Sequence, residues 1–267
     1  MLLKMDFENI RYEAADKIAR ITLNRPECLN AINLPMHGEL WSALDTVEAD
    51  KGLRVLLLTG SGRGFCAGQD LTERSTSDGQ LPRDIGKSLD STYHPLIRRL
   101  RALEIPILCA VNGVAAGAGA SLVMACDVVI AARSASFIQA FSRIGLAPDS
   151  GSTYCLPRLV GEARARALAL TGDAVDAETA ERWGLIWQCV PDNELVQRTN
   201  ELAHKLSKQP PLAMAEIKKL LQHSLQYSLD EELDRERDAL QRLGSTEDYL
   251  EGVQAFLEKR PARFRGR

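Results

Sequence analysis

Residues 107–121 read I-L-C-A-V-N-G-V-A-A-G-A-G-A-S and join an apolar strand to a glycine-rich turn. Positions 107–111 are apolar throughout, which is typical of a strand buried on both faces of a sheet. Asn-Gly ends that strand, small residues follow, and a helix is predicted over residues 121–125. The same order begins with V-L-L-L at residues 55–58, followed by a loop with three glycines. Strand, loop and helix in repeated order predict an α/β fold with largely parallel strands and right-handed crossovers.

The pattern changes after Pro191, where helical spacing of apolar residues replaces strands. Four helices are predicted there, over residues 194–206, 212–224, 229–243 and 249–259. Their apolar faces must pack against the core or against another subunit. We therefore predict two parts: residues 1–190 form the core with the ligand site, and residues 191–267 form a helical region.

The composition disfavours several classes of protein. The chain carries 33 Lys and Arg against 36 Asp and Glu, and its net charge of −3 gives no general attraction to nucleic acid. No apolar run reaches the ~20 residues that a membrane span needs, and the charged first residues lack the apolar segment of a signal peptide. The six cysteines form no C-x-x-C pair, and the four histidines have no metal-ligand spacing. We expect free thiols in a reducing compartment, hence a cytoplasmic protein, and no metal site.

Two glycine-rich loops follow buried strands: F-C-A-G-Q-D at residues 65–70 and the turn at residues 113–121. Ligands of α/β sheets bind at such strand ends. Two backbone N–H groups that converge there would hold a carbonyl oxygen as it becomes an oxyanion. The alternative is that the small residues only permit close packing of strand and helix. A dinucleotide site is disfavoured, because Leu122 stands where G-x-G-x-x-G needs its third glycine.

Three motifs resemble the crotonase (enoyl-CoA hydratase/isomerase) superfamily in order and spacing. They are N-R-P-x-x-x-N-A at residues 24–31, G-R-G-F-C-A-G-Q-D-L at 62–71 and A-V-N-G-V-A-A-G-A-G at 110–119. The resemblance extends to A-F-L-E-K-R at residues 255–260 and covers essentially the whole chain. It implies a spiral of ββα units, a C-terminal helical region that builds homotrimers or dimers of trimers, and a coenzyme A thioester as ligand.

The resemblance also assigns roles to individual residues. Its oxyanion hole would use the backbone N–H groups of Gln69 and Ala118. Contacts to coenzyme A would come from Arg25, Ala67, Gln69, Asp70 and Leu71. Coenzyme A then enters as part of the substrate, and no separate cofactor is expected.

The acid and base residues decide the reaction within such a superfamily. Its hydratases use two glutamates, and the matching positions here hold Ser121 and Phe141. Asp149 remains, in the turn P-D-S-G, where isomerising and dehalogenating relatives place a catalytic aspartate. Without the resemblance, an aspartate after proline is more simply a turn or N-cap residue.

Residues 140–153, A-F-S-R-I-G-L-A-P-D-S-G-S-T, more closely resemble the isomerases of ring-1,2-epoxyphenylacetyl-CoA in bacterial phenylacetate catabolism. One departure is Ser152, where these relatives usually carry a second glycine. We therefore predict an isomerase in which Asp149 moves a proton next to a thioester carbonyl. An enoyl-CoA hydratase or a Δ3,Δ2-enoyl-CoA isomerase of β-oxidation is the first alternative. A non-catalytic RNA-binding relative is the second, and the net charge disfavours it.

Overall fold

The computed structural model describes residues 3–5, 7–74 and 84–267. Two sheets, of seven and four strands, form the centre of this part of the chain. The strands are β1 (Leu3–Met5), β2 (Ile10–Ala15), β3 (Ile18–Leu23), β4 (Val55–Gly60), β5 (Gly64–Cys66), β6 (Ile107–Val111), β7 (Val114–Ala116), β8 (Val128–Ala132), β9 (Ser136–Ile138), β10 (Ala174–Asp176) and β11 (Gln188–Val190).

The larger sheet has the order β1-β2-β3-β4-β6-β8-β11. Its first three strands are antiparallel neighbours, whereas β3, β4, β6, β8 and β11 run parallel. The smaller sheet has the order β10-β9-β7-β5, in which β5, β7 and β9 run parallel and β10 is antiparallel. The chain repeatedly gives one strand to the large sheet and the next to the small sheet before a helix follows. This confirms the predicted α/β fold and its spiral of ββα units.

Helices surround the two sheets. In the described part of the chain they are α1 (Leu34–Ala49), α2 (Ile85–Ser91), α3 (Tyr93–Ala102), α4 (Ala118–Met124), α5 (Ser152–Val160), α6 (Glu162–Thr171), α7 (Ala177–Trp183), α8 (Leu195–Leu206), α9 (Pro211–His223), α10 (Leu229–Gly244) and α11 (Glu247–Leu257). Side-chain oxygens of Asn33, Asp176 and Ser228 accept from backbone N–H groups at the starts of α1, α7 and α10, which satisfies donors that the helix itself leaves unpaired.

The large sheet is covered on both faces, which explains the continuous apolar runs of β4 and β6. One face shares the main core with the small sheet, α1 and α3. On the other face, Leu195 and Ala203 of α8 pack with Val55 and Leu57 of β4. Helix α8 thus lies on the core sheet although it follows residue 190, and the predicted division into two parts stays a prediction.

Helix α4 begins three residues earlier than predicted, at Ala118 instead of Ser121. Gly117 has φ +51°, a conformation that costs glycine little, so the chain turns there and enters the helix at once. Residues Val114–Ala116 form β7 inside the stretch predicted as a loop. The predicted loop is therefore a short strand, a turn and the first turn of a helix.

Large apolar side chains are exposed along α9, α10 and α11 of the single chain. They are Leu212, Ile217, Leu221, Leu229, Leu233, Leu240, Tyr249, Leu250, Val253, Phe256 and Leu257. Contiguous apolar surface of this kind marks an interaction face in soluble proteins.

His37 is buried on α1 and makes no hydrogen bond through either ring nitrogen within the described residues. Its ring meets the edge of the Tyr93 ring on α3, with the centroids 4.4 Å apart. Burial lowers the pKa of His37 from 6.5 to about 4. The folded protein therefore holds a neutral imidazole at pH values where the unfolded chain binds a proton.

This proton difference should destabilise the fold in acid. As the pH falls from 6.5 to about 4, the unfolded state gains a proton at His37 that the folded state does not. The free energy of unfolding should fall with a slope approaching ~1.4 kcal/mol per pH unit from this group. Urea unfolding between pH 4 and pH 7 measures it, with His37→Phe as the variant and His204→Gln, at an exposed position, as the control. Equal slopes for wild type and His37→Phe would contradict the prediction.

Candidate active site

The loop after β5 and the turn after β7 meet at Gly68. This glycine has φ +98°, and a Cβ built on it would lie 2.9 Å from the Ala116 carbonyl oxygen and 3.3 Å from the Ala118 nitrogen. Both the left-handed conformation and the lack of space therefore require glycine. The close approach places Gly68, the residue before Gln69, next to the nitrogen of Ala118.

Hydrogen bonds on the opposite side of the loop leave the Gln69 N–H available. Ile32 N–H donates to the Gly68 carbonyl at 2.7 Å, and Asp70 N–H donates to the Ile32 carbonyl at 2.9 Å. Gln69 lies between these two bonds, and no acceptor for its N–H is found among the described residues. Ala118 is the first residue of α4, where helix geometry leaves the N–H unpaired. The use of these two N–H groups as oxyanion donors stays a prediction.

Asn30 builds the first of these loops, and the sequence analysis did not assign it a role. Its side-chain amide is fully buried and donates to the carbonyl oxygens of Ser61, Gly64 and Phe65 at 2.9, 2.8 and 3.1 Å. Its side-chain oxygen accepts from Arg25 N–H at 2.8 Å. Asn30 has φ +57°, and asparagine is among the few residues that tolerate this region. The second asparagine of N-R-P-x-x-x-N-A is Asn30, and its place in that motif was the signal in the sequence that could have pointed to this role.

Asp149 lies in a tight turn between Gly145 and α5. Ser150 and Gly151 have φ values of +52° and +84°, so the chain reverses sharply after the aspartate. The half-buried Asp149 accepts from the Ser150 hydroxyl through Oδ1, at 2.8 Å. Its carbonyl oxygen accepts from Ser152 N–H at 2.9 Å and from the Ser121 hydroxyl at 3.2 Å. Because Ser121 is on α4, the turn of Asp149 is bonded to the helix that begins at Ala118.

The two positions matched to hydratase glutamates face this same region without a carboxylate. Ser121 is buried, and its hydroxyl lies 2.7 Å from that of Ser152. Phe141 is buried, and a Cβ built on Gly117 would lie 3.9 Å from its ring. An apolar ring and a hydrogen-bonded hydroxyl thus stand where those glutamates would be expected.

Arg25 and Asp70, both predicted to touch coenzyme A, bind each other. Arg25 Nη1 lies 2.8 Å from Asp70 Oδ2 and also donates to the Ala31 carbonyl at 2.7 Å. The Thr72 hydroxyl and then Arg25 hold the pKa of the Asp70 carboxyl below its usual value. The ion pair therefore stabilises the loop next to Gln69.

The other two predicted coenzyme A positions differ in their surroundings. Leu71 is exposed, and Ala67 donates its N–H to the Leu29 carbonyl at 2.9 Å. Both lie close to Gly68 and Gln69 in the loop after β5, and their contact with coenzyme A stays a prediction.

Among the residues that the structure describes, no three His, Cys, Asp or Glu side chains are grouped so that they could hold a metal ion. Over the same residues, no helix is long and apolar enough to cross a membrane.

Comparisons with known proteins identify the family of this chain. The enoyl-CoA hydratase/isomerase family model matches residues 13–267. The chain is 50% identical over 250 residues to the 1,2-epoxyphenylacetyl-CoA isomerase of Escherichia coli (strain K12), covering 94% of this chain and 95% of that protein. It is 35% identical over 251 residues to the 2,3-dehydroadipyl-CoA hydratase of the same organism, covering 94% and 96%.

A solved structure gives the same result at the level of the fold. The crystal structure of an enoyl-CoA hydratase from Bacillus anthracis superposes with a TM-score of 0.91 at 34% identity, covering 97% of this chain and 100% of that chain. The chain belongs to the enoyl-CoA hydratase/isomerase family.

The Ala118 N–H should matter more than the Ala118 side chain. Ala118→Pro removes the donor at the first position of α4, where proline is otherwise accepted in a helix, whereas Ala118→Gly keeps the donor. Loss of one oxyanion donor typically costs 10²–10³-fold in kcat. We expect a loss of about that size for proline and a small change for glycine, measured on an acyl-CoA substrate. Equal activity of the two folded variants would show that this amide does not face the substrate.

Proposed function

We propose that this protein is an acyl-CoA isomerase that transfers a proton next to a thioester carbonyl. One observation carries the proposal: the turn of Asp149 is hydrogen-bonded to the helix that begins at Ala118, while Ser121 and Phe141 supply no carboxylate. With Asp70 paired to Arg25, the carboxylate of Asp149 at this turn suits removal and return of one proton. It does not suit the two-glutamate activation of water.

In the proposed mechanism the thioester oxygen accepts hydrogen bonds from Gln69 N–H and Ala118 N–H. Asp149 removes a proton α or γ to that carbonyl, and the negative charge moves to the oxygen that the two donors hold. Asp149, now protonated, returns the proton at another carbon. Because the proton is returned and no electrons leave the substrate, the reaction is an isomerisation and needs no separate cofactor.

The acyl group we propose is ring-1,2-epoxyphenylacetyl. The carbon–carbon bond shared by its epoxide and six-membered ring breaks to give the seven-membered oxepin thioester, and Asp149 moves the proton that accompanies this ring expansion. The similarity to the Escherichia coli isomerase of that name supports this choice, together with the motif around Asp149. The buried Phe141 ring beside Gly117 adds an apolar surface suited to a ring substrate. Hydration of a 2-enoyl thioester is the second candidate, because relatives at 35% identity include a hydratase.

We also propose that the chain works in the cytoplasm as a homotrimer or a dimer of trimers. The exposed apolar side chains of α9, α10 and α11 support assembly, since leaving them in water is unfavourable. Its substrate partner is then an acyl-CoA thioester, with no nucleic acid involved.

The substrate is tested by comparing acyl-CoA thioesters: the ring epoxide, a 3-enoyl thioester and crotonyl-CoA. We expect isomerisation of the first or second and poor hydration of the third, because Ser121 and Phe141 cannot position and activate a water. Hydration of crotonyl-CoA at a usual enzymatic kcat of ~10 s⁻¹ or more would instead support a hydratase.

Asp149→Asn should remove the base while keeping the shape of the side chain. General base catalysis is typically worth 10²–10⁴-fold, so kcat for isomerisation should fall by about that factor while thioester binding changes little. Deuterium exchange from solvent at the acidic carbon should fall in parallel. Asp173→Asn, at a carboxylate whose side chain is 73% exposed, is the matched control. If the Asp149 variant keeps wild-type rates of both processes, the base lies elsewhere.

A further inference from the structure

Three serines close to Asp149 are almost completely buried. Ser121 and Ser152 are each 1% exposed and Ser150 is 2% exposed. A buried hydroxyl is unfavourable unless it forms a hydrogen bond, and all three do so within this turn. The proton transfer proposed above does not by itself require any of them.

Ser121 and Ser152 form a short chain of hydroxyls that ends at the backbone of Asp149. Their oxygens lie 2.7 Å apart, and Ser121 Oγ lies 3.2 Å from the Asp149 carbonyl oxygen. A hydroxyl has one proton to donate. When Ser152 donates to Ser121, the one proton of Ser121 faces two carbonyl oxygens at 3.2 Å, that of Asp149 and that of Gly117 one turn back on its own helix, and is shared between them. The side chain of Ser121 is then the direct bond between the turn and α4.

Ser150 contacts the carboxylate itself. It is held at φ +52°, a region that residues with a side chain enter at a cost, so this conformation needs support from its surroundings. In this conformation its hydroxyl donates to Asp149 Oδ1 at 2.8 Å. A hydrogen bond to a carboxylate orients it and favours its charged form.

We infer that Ser121 and Ser150 are positioning residues for Asp149, an inference that rests on the proposed proton transfer. Ser121 sets where the base stands relative to the Ala118 N–H, since its hydroxyl and that N–H belong to the same seven-residue helix. Ser150 sets how the carboxylate is turned and how readily it takes up a proton. The position that holds a glutamate in the hydratases thus serves here to place a different carboxylate.

Ser121→Ala and Ser152→Ala separate positioning from loss of a buried hydroxyl. Both remove one hydroxyl, but only Ser121→Ala breaks the bond to the Asp149 carbonyl. Misplacement of a reacting group by about 1 Å costs up to ~10²-fold, so kcat of Ser121→Ala should fall ~10- to 100-fold with little change in KM. The kcat of Ser152→Ala should stay within about threefold of wild type. Equal kcat losses in the two variants, or none in either, would overturn the role of Ser121.

Ser150→Ala and Ser150→Gly separate the hydroxyl from the backbone. Both remove the donor to Asp149, but glycine also relieves the left-handed conformation and should unfold at a higher urea concentration than alanine. The acidic limb of the pH–kcat/KM profile should move up by about one pH unit in both variants, because the carboxylate loses a bond that favours its charged form. The role of Ser150 would be overturned if the acidic limb of the pH–kcat/KM profile stayed in place in both variants, or if it moved in the alanine variant alone.

The probe for all four variants is a 3-enoyl-CoA thioester in D2O, with isomerisation and deuterium incorporation at the acidic carbon followed together. A wild-type protein that catalyses neither process on this probe or on the ring epoxide would remove the proposed function and this inference with it. A wild-type protein that catalyses both, with Ser121→Ala and Ser150→Ala indistinguishable from it, would remove this inference alone.

Discussion

At Gly68 the backbone passes so close to the next loop that a single added carbon would lie 2.9 Å from the Ala116 carbonyl oxygen. Two loops that begin on neighbouring strands of the small sheet therefore share one point of contact. The parallel pairing of β5 with β7 brings their ends to the same edge, and the missing side chain at Gly68 lets the backbones meet there. This approach places the backbone before Gln69 next to the first residue of α4.

The contact is kept in place by bonds that reach it from both sides. Asn30 fixes the loop on one side through three backbone carbonyls, and Arg25 is bonded to Asp70 next to Gln69. On the other side, Ser121 connects α4 to the turn of Asp149. These are buried or half-buried polar bonds between segments that are distant along the chain, so each restricts several backbone groups at once. If the proposed donors act as an oxyanion hole, such bonds keep them oriented before substrate arrives, as oxyanion stabilisation requires.

The sequence predicts the strands that matter most, because β4 and β6 are buried on both faces and their apolar runs are unmistakable. It does not predict β7, because Val114–Ala116 has only three residues with small side chains. That is too few for the alternation of buried and exposed positions of a strand to be visible. The glycines and the aspartate of the site were found from motifs with fixed spacing. The serine contacts were not, because the Ser121–Asp149 bond joins residues 28 positions apart and depends on packing that no local pattern records. Asn30 is intermediate: its motif was visible, but its three acceptors follow from the fold alone.

Helix α4 carries both the proposed oxyanion donor, at Ala118, and the hydrogen bond to the turn of the proposed base, at Ser121, one turn apart on a single short helix. This arrangement limits how such an enzyme changes its chemistry in evolution. A glutamate at position 121 would supply one of the two carboxylates that hydration uses, but the same substitution would delete the hydroxyl that contacts the turn of Asp149. Because Phe141 still occupies the second glutamate position, this one change would weaken the proposed proton transfer before hydration is gained. Intermediates that perform both well would need a second change in the turn to replace the lost bond.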